Sequence, residues 1–308
     1  MNPFRVLHIA AELAPLSRDS ESGRQSRFLS RELAELGLKV TVVVSGHSID
    51  DPEGQGLARR LTPLSLGSAR ANTEAGDTAQ TATDAPGSDD DRTAHEDRAA
   101  TDALIYEGSL PGGRVQVFVV DLPDDLAAEA AEAAFCQAVQ ALAEQPEQRP
   151  DIILATHGGE RALSHLVRAA ADLPDASPPA ALFALHTFDH SPALAAALRD
   201  CDRVIVSSPR WAEQLRRDPD SHPAGRLVAP VVGRLHGVPP GIDPLTWNPH
   251  RDPHLPGHSL GGLGDTLNES KAVHKETMQR ELGLRVRPNA PLIALIGPLD
   301  GAYLPFSM

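Results

Sequence analysis

Lys39-Val40-Thr41-Val42-Val43-Val44-Ser45 decides the fold. Four valines in seven residues, with no strict alternation of polar and apolar positions, read as a strand buried on both faces. Just before it, Gly23 to Leu36 carries Phe28, Leu29, Leu33 and Leu36 at helical spacing and ends at Gly37. Ser22, with Gln25 three residues on, is the expected capping box of that helix. Before the helix, Phe4-Arg5-Val6-Leu7-His8-Ile9-Ala10 is another apolar run of strand length, joined to it by a loop from Ala11 to Ser22. Strand, helix and buried strand in that order imply a right-handed βαβ unit and a parallel sheet.

The alternation breaks at residues 67–103, which hold nine acidic and three basic residues and few apolar ones. Such a segment lacks the apolar area to offset its chain entropy and is expected to be a disordered acidic insert. Alternation then resumes. Strands are expected at Arg114 to Val120, Asp151 to Ala155, Ala180 to His186, Arg203 to Ser207 and Gly233 to Val238. Between them come helices at Asp125 to Ala143, Glu160 to Ala171, Pro192 to Arg199 and one opened by Pro209. No internal repeat is present. The pattern predicts an α/β domain over 1–242, a doubly wound, Rossmann-like parallel sheet whose ligands sit at the carboxyl ends of the strands.

The chain has 308 residues and a formal net charge of -14. That field repels phosphate backbones and anionic bilayers, so neither nucleic acid nor a membrane surface is an expected partner. No apolar run approaches ~18 residues, and the N-terminal run is interrupted by His8 and Glu12, which points to a cytoplasmic protein. Cys136 and Cys201 are far apart and read as buried reduced thiols. Lysine occurs only at Lys39, Lys271 and Lys275, so any chemistry that needs a lysine has few candidates.

Candidate site residues follow from the fold. After the first strand, Ser17-Arg18-Asp19-Ser20-Glu21-Ser22-Gly23-Arg24 stands where such folds cradle a phosphate. Arg18, Arg24 and Arg27 are suited to an anion, but Asp19 and Glu21 offer them local partners, and with one glycine the second reading is favoured. His157, before Gly158 and Gly159, and His186 both follow strands of one sheet at its carboxyl end. Either alone is an ordinary polar strand end; as a pair they make a candidate site. His250, His254 and His258 recur every four residues, but Pro249, Pro253 and Pro256 forbid the helix that would align them as metal ligands. No Walker loop, Gly-x-Ser-x-Gly elbow or Cys-x-x-Cys occurs, and neither metal nor cofactor is expected.

One stretch is specific to a family. Gly241-Ile242-Asp243-Pro244-Leu245-Thr246-Trp247-Asn248-Pro249-His250-Arg251-Asp252-Pro253 resembles the inter-domain segment of bacterial glycogen and plant starch synthases, family 5 retaining glycosyltransferases. Val6 to Leu16, Asp202 to Pro209 and Arg280 to Leu284 resemble the same family. The resemblance implies the N-terminal half of a two-Rossmann (GT-B type) enzyme that transfers glucose from ADP-glucose to an α-1,4-glucan. On that basis 243–290 is the connector and 291–308 the remnant of a second domain. The family's Lys-x-Gly-Gly loop falls on Arg18-Asp19-Ser20-Glu21, its His-Asp-Trp-His on Thr156-His157-Gly158-Gly159 and its His-Asn on His186-Thr187. Arg18, His157 and His186 are therefore the substrate-binding candidates, and no catalytic residue is assigned. Pro298 and Tyr303 stand where the family's Arg and Lys neutralise the departing diphosphate. With most of the second domain absent, the expectation is a degenerate homologue, a pseudoenzyme without independent activity. Two alternatives stay open: an active α-glucan glucosyltransferase completed by a separate nucleotide-binding chain, and a glucan-binding or regulatory partner of an intact synthase. The stretch Leu292 to Ile296 reads as an orphan strand on which a partner chain could pair.

Overall fold

The computed structural model describes residues 3–17, 20–66, 101–172, 177–186, 190–243, 247–248, 252–255 and 265–294. The chain divides into two compact units, Met1–Pro240 and Gly241–Met308. Arg18 and nearly all of the acidic insert, residues 67–100, lie outside the described residues.

In the first unit, β1 (Arg5–Ala10) leads through α1 (Glu21–Glu35) to β2 (Lys39–Ser45). After β3 (Ala58–Arg59), β4 (Leu64–Leu66) and β5 (Thr101–Ser109) come β6 (Val115–Asp121), α2 (Ala128–Ala143), β7 (Ile152–Ala155) and α3 (Glu160–Ala171). Then follow β8 (Ala180–Leu185), α4 (Pro192–Asp200), β9 (Arg203–Val206), α5 (Pro209–Arg217), α6 (Pro223–Val228) and β10 (Leu235–Gly237). The sheet order is β10-β9-β8-β7-β1-β2-β6-β5-β3, with β4 paired to β5. β1 lies parallel between β2 and β7, with Val6 opposite both Val40 and Ile152. The chain winds outward from β1 in one direction to β6, then returns to β7 and winds the other way. The break in order between β1 and β7 is the switch point of a doubly wound sheet.

Strand alternation divides the core into two layers. Leu7, Ile9, Val43, Phe118 and Val120 face one side, where they pack with Leu142 of α2 and Leu163 of α3. Val6, Ala10, Val42, Val44, Val117 and Val119 face the other, with Leu29 and Leu33 of α1 packed against them. Cys136 and Cys201 are buried and unpaired. Burial pushes each thiol up to about 11.

Several expectations are corrected. Thr101, Asp102 and Ala103 belong to β5, not to the insert, because they pair antiparallel with Leu66, Ser65 and Leu64 of β4, and Ala103 is completely buried. The capping residue of α1 is Ser20, whose side chain accepts from the Gly23 amide, not Ser22. Leu36 is the C-cap of α1 and is 79% exposed, so it lies off the apolar face. Residues 229–234 form a 3-10 turn, leaving only Leu235–Gly237 as the last strand.

The second unit contains α7 (Asp265–Glu281), a helix in what the sequence reads as connector. Gly283, at φ +66, ends it. The chain then folds back: Lys275 donates to the carbonyls of Pro288 (2.7 Å) and Ala290, and the side chain of buried Gln279 accepts from the Arg287 amide at 3.3 Å. The expected strand Leu292 to Ile296 is not formed over its described residues, 292–294. Ile293 is 89% exposed there, and a strand exists only through a neighbour that bonds to it.

Candidate functional site

The crevice at the switch point is built by β1, β7 and the helices that follow them. Beyond β7, the Thr156 amide donates to Ile9 at 3.0 Å, and beyond β1 the Ala11 amide donates to His157 at 3.2 Å. These bonds keep the two segments side by side past the ends of their strands. Such a close approach dictates the glycine pair. A Cβ on Gly158, whose φ is +85, would come within 2.4 Å of the Ala11 Cβ, and one on Gly159 within 2.8 Å of the Ile9 oxygen. His157 therefore precedes a turn that only glycine adopts without strain. Its ring, about half exposed, lies with Nδ1 at 3.2 Å from the largely buried Glu160 carboxylate.

Behind this loop lies a residue the sequence reading passed over. His8, in the middle of β1, is completely buried. Its Nδ1 hydrogen-bonds Ser30 Oγ of α1 at 2.7 Å, and its Nε2 approaches Thr156 Oγ1 at 3.5 Å. Burial, aided by the nearby His186, pushes its imidazole down to about 4, so the ring is neutral at neutral pH. His186 itself follows β8 and is held below the ordinary imidazole value by burial. The structure thus brings His186, His8 and Thr156 into one neighbourhood, with His157 next in the chain. The available signal was a polar residue inside a strand buried on both faces, which rarely goes without a partner.

The start of α1 closes the other side. Ser20 Oγ donates to the Glu12 carboxylate and accepts from the Gly23 amide at 2.9 Å. The Ala14 amide donates to the Gly23 carbonyl at 3.0 Å, and the Leu13 amide to Ser17 Oγ at 2.8 Å, which folds residues 12–17 back onto the helix. The Ala14–Pro15 peptide bond within this loop is cis. Arg24 pairs with Glu21 at 3.1 Å, and Gln25 donates to the same carboxylate at 3.1 Å. These bonds, Arg24 first, hold the Glu21 carboxyl below its usual range. Of the two readings of this loop, local pairing is the one realised by Arg24; Arg18 and Asp19 lie outside the described residues. Further along the same end of the sheet, burial and then Asp124 raise the carboxyl of Asp121, which closes β6 against Gly46. Among the described residues no group of His, Cys, Asp and Glu is placed to hold a metal ion, and no helix is long and apolar enough to cross a membrane.

No family model matches the chain. Over 113 residues it is 36% identical to a glycogen synthase of Anaeromyxobacter dehalogenans, a stretch that covers 37% of this chain and 23% of that protein. It is 34% identical, also over 113 residues, to granule-bound starch synthase 2 of Solanum tuberosum, covering 36% of this chain and 15% of that one. The chain resembles glycogen and starch synthases. Its fold is that of the catalytic domain of starch synthase IV from Arabidopsis thaliana, solved bound to ADP and acarbose, with a TM-score of 0.59 and 16% identity. That likeness covers 92% of this chain and 60% of the starch synthase chain. The similarity to glycogen and starch synthases thus spans less than a quarter of either relative, while the fold match extends over nearly all of the present chain.

Proposed function

We propose that this chain is the glucan-facing half of a glycogen- or starch-synthase-type glycosyltransferase, and that by itself it transfers no glucose. The relatives' names, with the ADP and acarbose of the structural neighbour, supply the ligand classes: a nucleoside-diphosphate sugar and an α-glucan. The absence of transfer rests on the start of α1. A departing nucleoside diphosphate must be neutralised by fixed cations or dipoles, which is worth several kcal/mol of barrier. In this fold the backbone amides at the first helix are the natural source of such a dipole. Here Ser20 takes up the Gly23 amide, while Glu12 and Glu21 add carboxylates beside it. Arg24 lies beside Glu21 at 3.1 Å and so offers a phosphate no isolated charge, and His186 is held below the ordinary imidazole value. A phosphate arriving there meets negative charge.

The test is incubation of the purified chain with radiolabelled ADP-glucose and a glycogen primer. Label in precipitated glucan should remain at the level of the protein-free blank. Incorporation that rises in proportion to added protein would overturn the proposal.

A further inference from the structure

A second concavity lies at the opposite end of the sheet, around the amino ends of β1, β2 and β6, with a volume of about 680 Å³. That is in the range of small-molecule sites, ~300–1,000 Å³. Strand alternation gives it one polar wall, beside an apolar one that includes Val6, Leu38 and Val40. Leu7, Val43 and Phe118 close one layer of the core, and two positions earlier on the same strands stand Arg5, Thr41 and Gln116 on the same face. Where another apolar row would extend the core, there is instead a ladder of neutral polar groups. Thr41 Oγ1 donates to Gln148 Oε1 at 3.0 Å, and Gln148 Nε2 donates to Gln116 Oε1 at 2.9 Å. Gln116 keeps both amide hydrogens and Gln148 one, with no further partner among the described residues.

The cations around this cleft are not equivalent. Arg114 is paired with Glu35 at 2.7 Å, and Arg5 donates to the Pro146 carbonyl at 2.7 Å. Lys39, the single lysine of residues 1–240, lines the cleft with no ion-pair partner among the described residues. The lining also holds two carboxylates, Glu107, which is neutralised by Arg60 at 2.8 Å, and Glu147; against these, the Lys39 ammonium beside a row of free amide donors suits one anionic group with hydroxyls alongside. Among the described residues no aromatic ring lines the cleft, so none of them offers a nucleotide base a surface to stack on.

We propose that this cleft binds a small polyhydroxylated anion, a sugar acid or a sugar phosphate, with its anionic group on Lys39 and its hydroxyls on the Gln148–Gln116 ladder. The inference is independent of the crevice at the other end of the sheet and of the activity proposed for it. It is tested by calorimetric titration of the full chain at low salt with gluconate and with glucose 6-phosphate, glucose being the neutral control. At least one anion should saturate, and glucose should bind at least about tenfold more weakly, the factor that 1.4 kcal/mol represents. Which anion saturates tells carboxylate from phosphate recognition. Lys39→Glu, an exposed change that leaves the melting temperature in place, should weaken binding by about tenfold or more, and Gln116→Leu should weaken it as well. The proposal is overturned if neither anion saturates by about 20 mM. Undiminished affinity in Lys39→Glu, or binding abolished by His157→Ala with Lys39→Glu unaffected, would also overturn it.

Discussion

The helices that follow β1 and β7 both begin at the carboxyl ends of neighbouring strands, yet α1 starts under a side-chain cap from Ser20, whereas α3 starts at Gly159 with no side-chain cap. At α1, side chains determine the turn: Ser20 and Ser17 take up the Gly23 and Leu13 amides that the backbone leaves over, and Glu12 holds the Ser20 hydroxyl in place. At α3, backbone geometry determines it: Gly158 and Gly159 lie against Ala11 and Ile9 with no room for a Cβ. One start is closed by chemistry and the other by space. The difference teaches that a single crevice can be tight on one wall through bonds that mutation can dissect, and on the other through contacts that admit no substitution.

The largest effect should come from the spatial wall. Gly158→Val forces a β-branched residue into φ +85 against the Ala11 backbone and should destabilise the chain on the order of 3 kcal/mol or more, read from urea denaturation midpoints. A variant that keeps wild-type stability would break the comparison. Next is His8, which links the two walls through Ser30 and Thr156. The unfolded chain protonates this imidazole near 6.5 and the folded chain not until about 4, so acid favours the unfolded state. Stability should be level above about pH 6.5 and fall between there and pH 4, by on the order of 3 kcal/mol from His8 alone. Denaturation midpoints across that range check this, and His8→Asn should lose most of the slope. His186 and His165, also held below the usual value, add to the fall with the same sign.

On the bonded wall the expected changes are smaller. Ser20→Ala removes the cap of α1 and should cost about 1 kcal/mol, with faster amide exchange at Gly23 as its local signature. Glu21→Gln breaks an exposed pair with Arg24 and should alter stability by no more than about 0.5 kcal/mol, lost in high salt. An effect from Glu21 as large as that from Ser20 would mean that charge rather than the cap sets this helix start.

Much of the central sheet was legible in the sequence because its parallel strands are covered on both sides. Val40 to Val44, Val115 to Val120 and Ile152 to Ala155 are nearly continuous apolar runs, and each lies where the periodicity puts it. β5 was not legible. Its first residues, Thr101, Asp102 and Ala103, share the composition of the acidic insert, and it is pairing with β4 that makes them a strand. The two-residue β3 carries no periodic signal at all, and α7 was concealed by a weakly apolar sequence within the connector. At the crevice, the position of His157 and the glycines after it followed from the strand before them. The bond from His8 to Ser30 joins residues 22 apart, and its approach to Thr156 spans 148, which no local pattern encodes.

The two native thiols have a practical consequence. Both are sealed in the core, and with their ionisation pushed up to about 11 they present almost no thiolate at neutral pH. A cysteine engineered onto the surface, at the rim of either cleft for instance, would ionise roughly a hundredfold more readily than they do. Maleimide dyes should therefore mark it selectively in the wild-type background. The chain comes prepared for single-site fluorescence without the removal of a single residue.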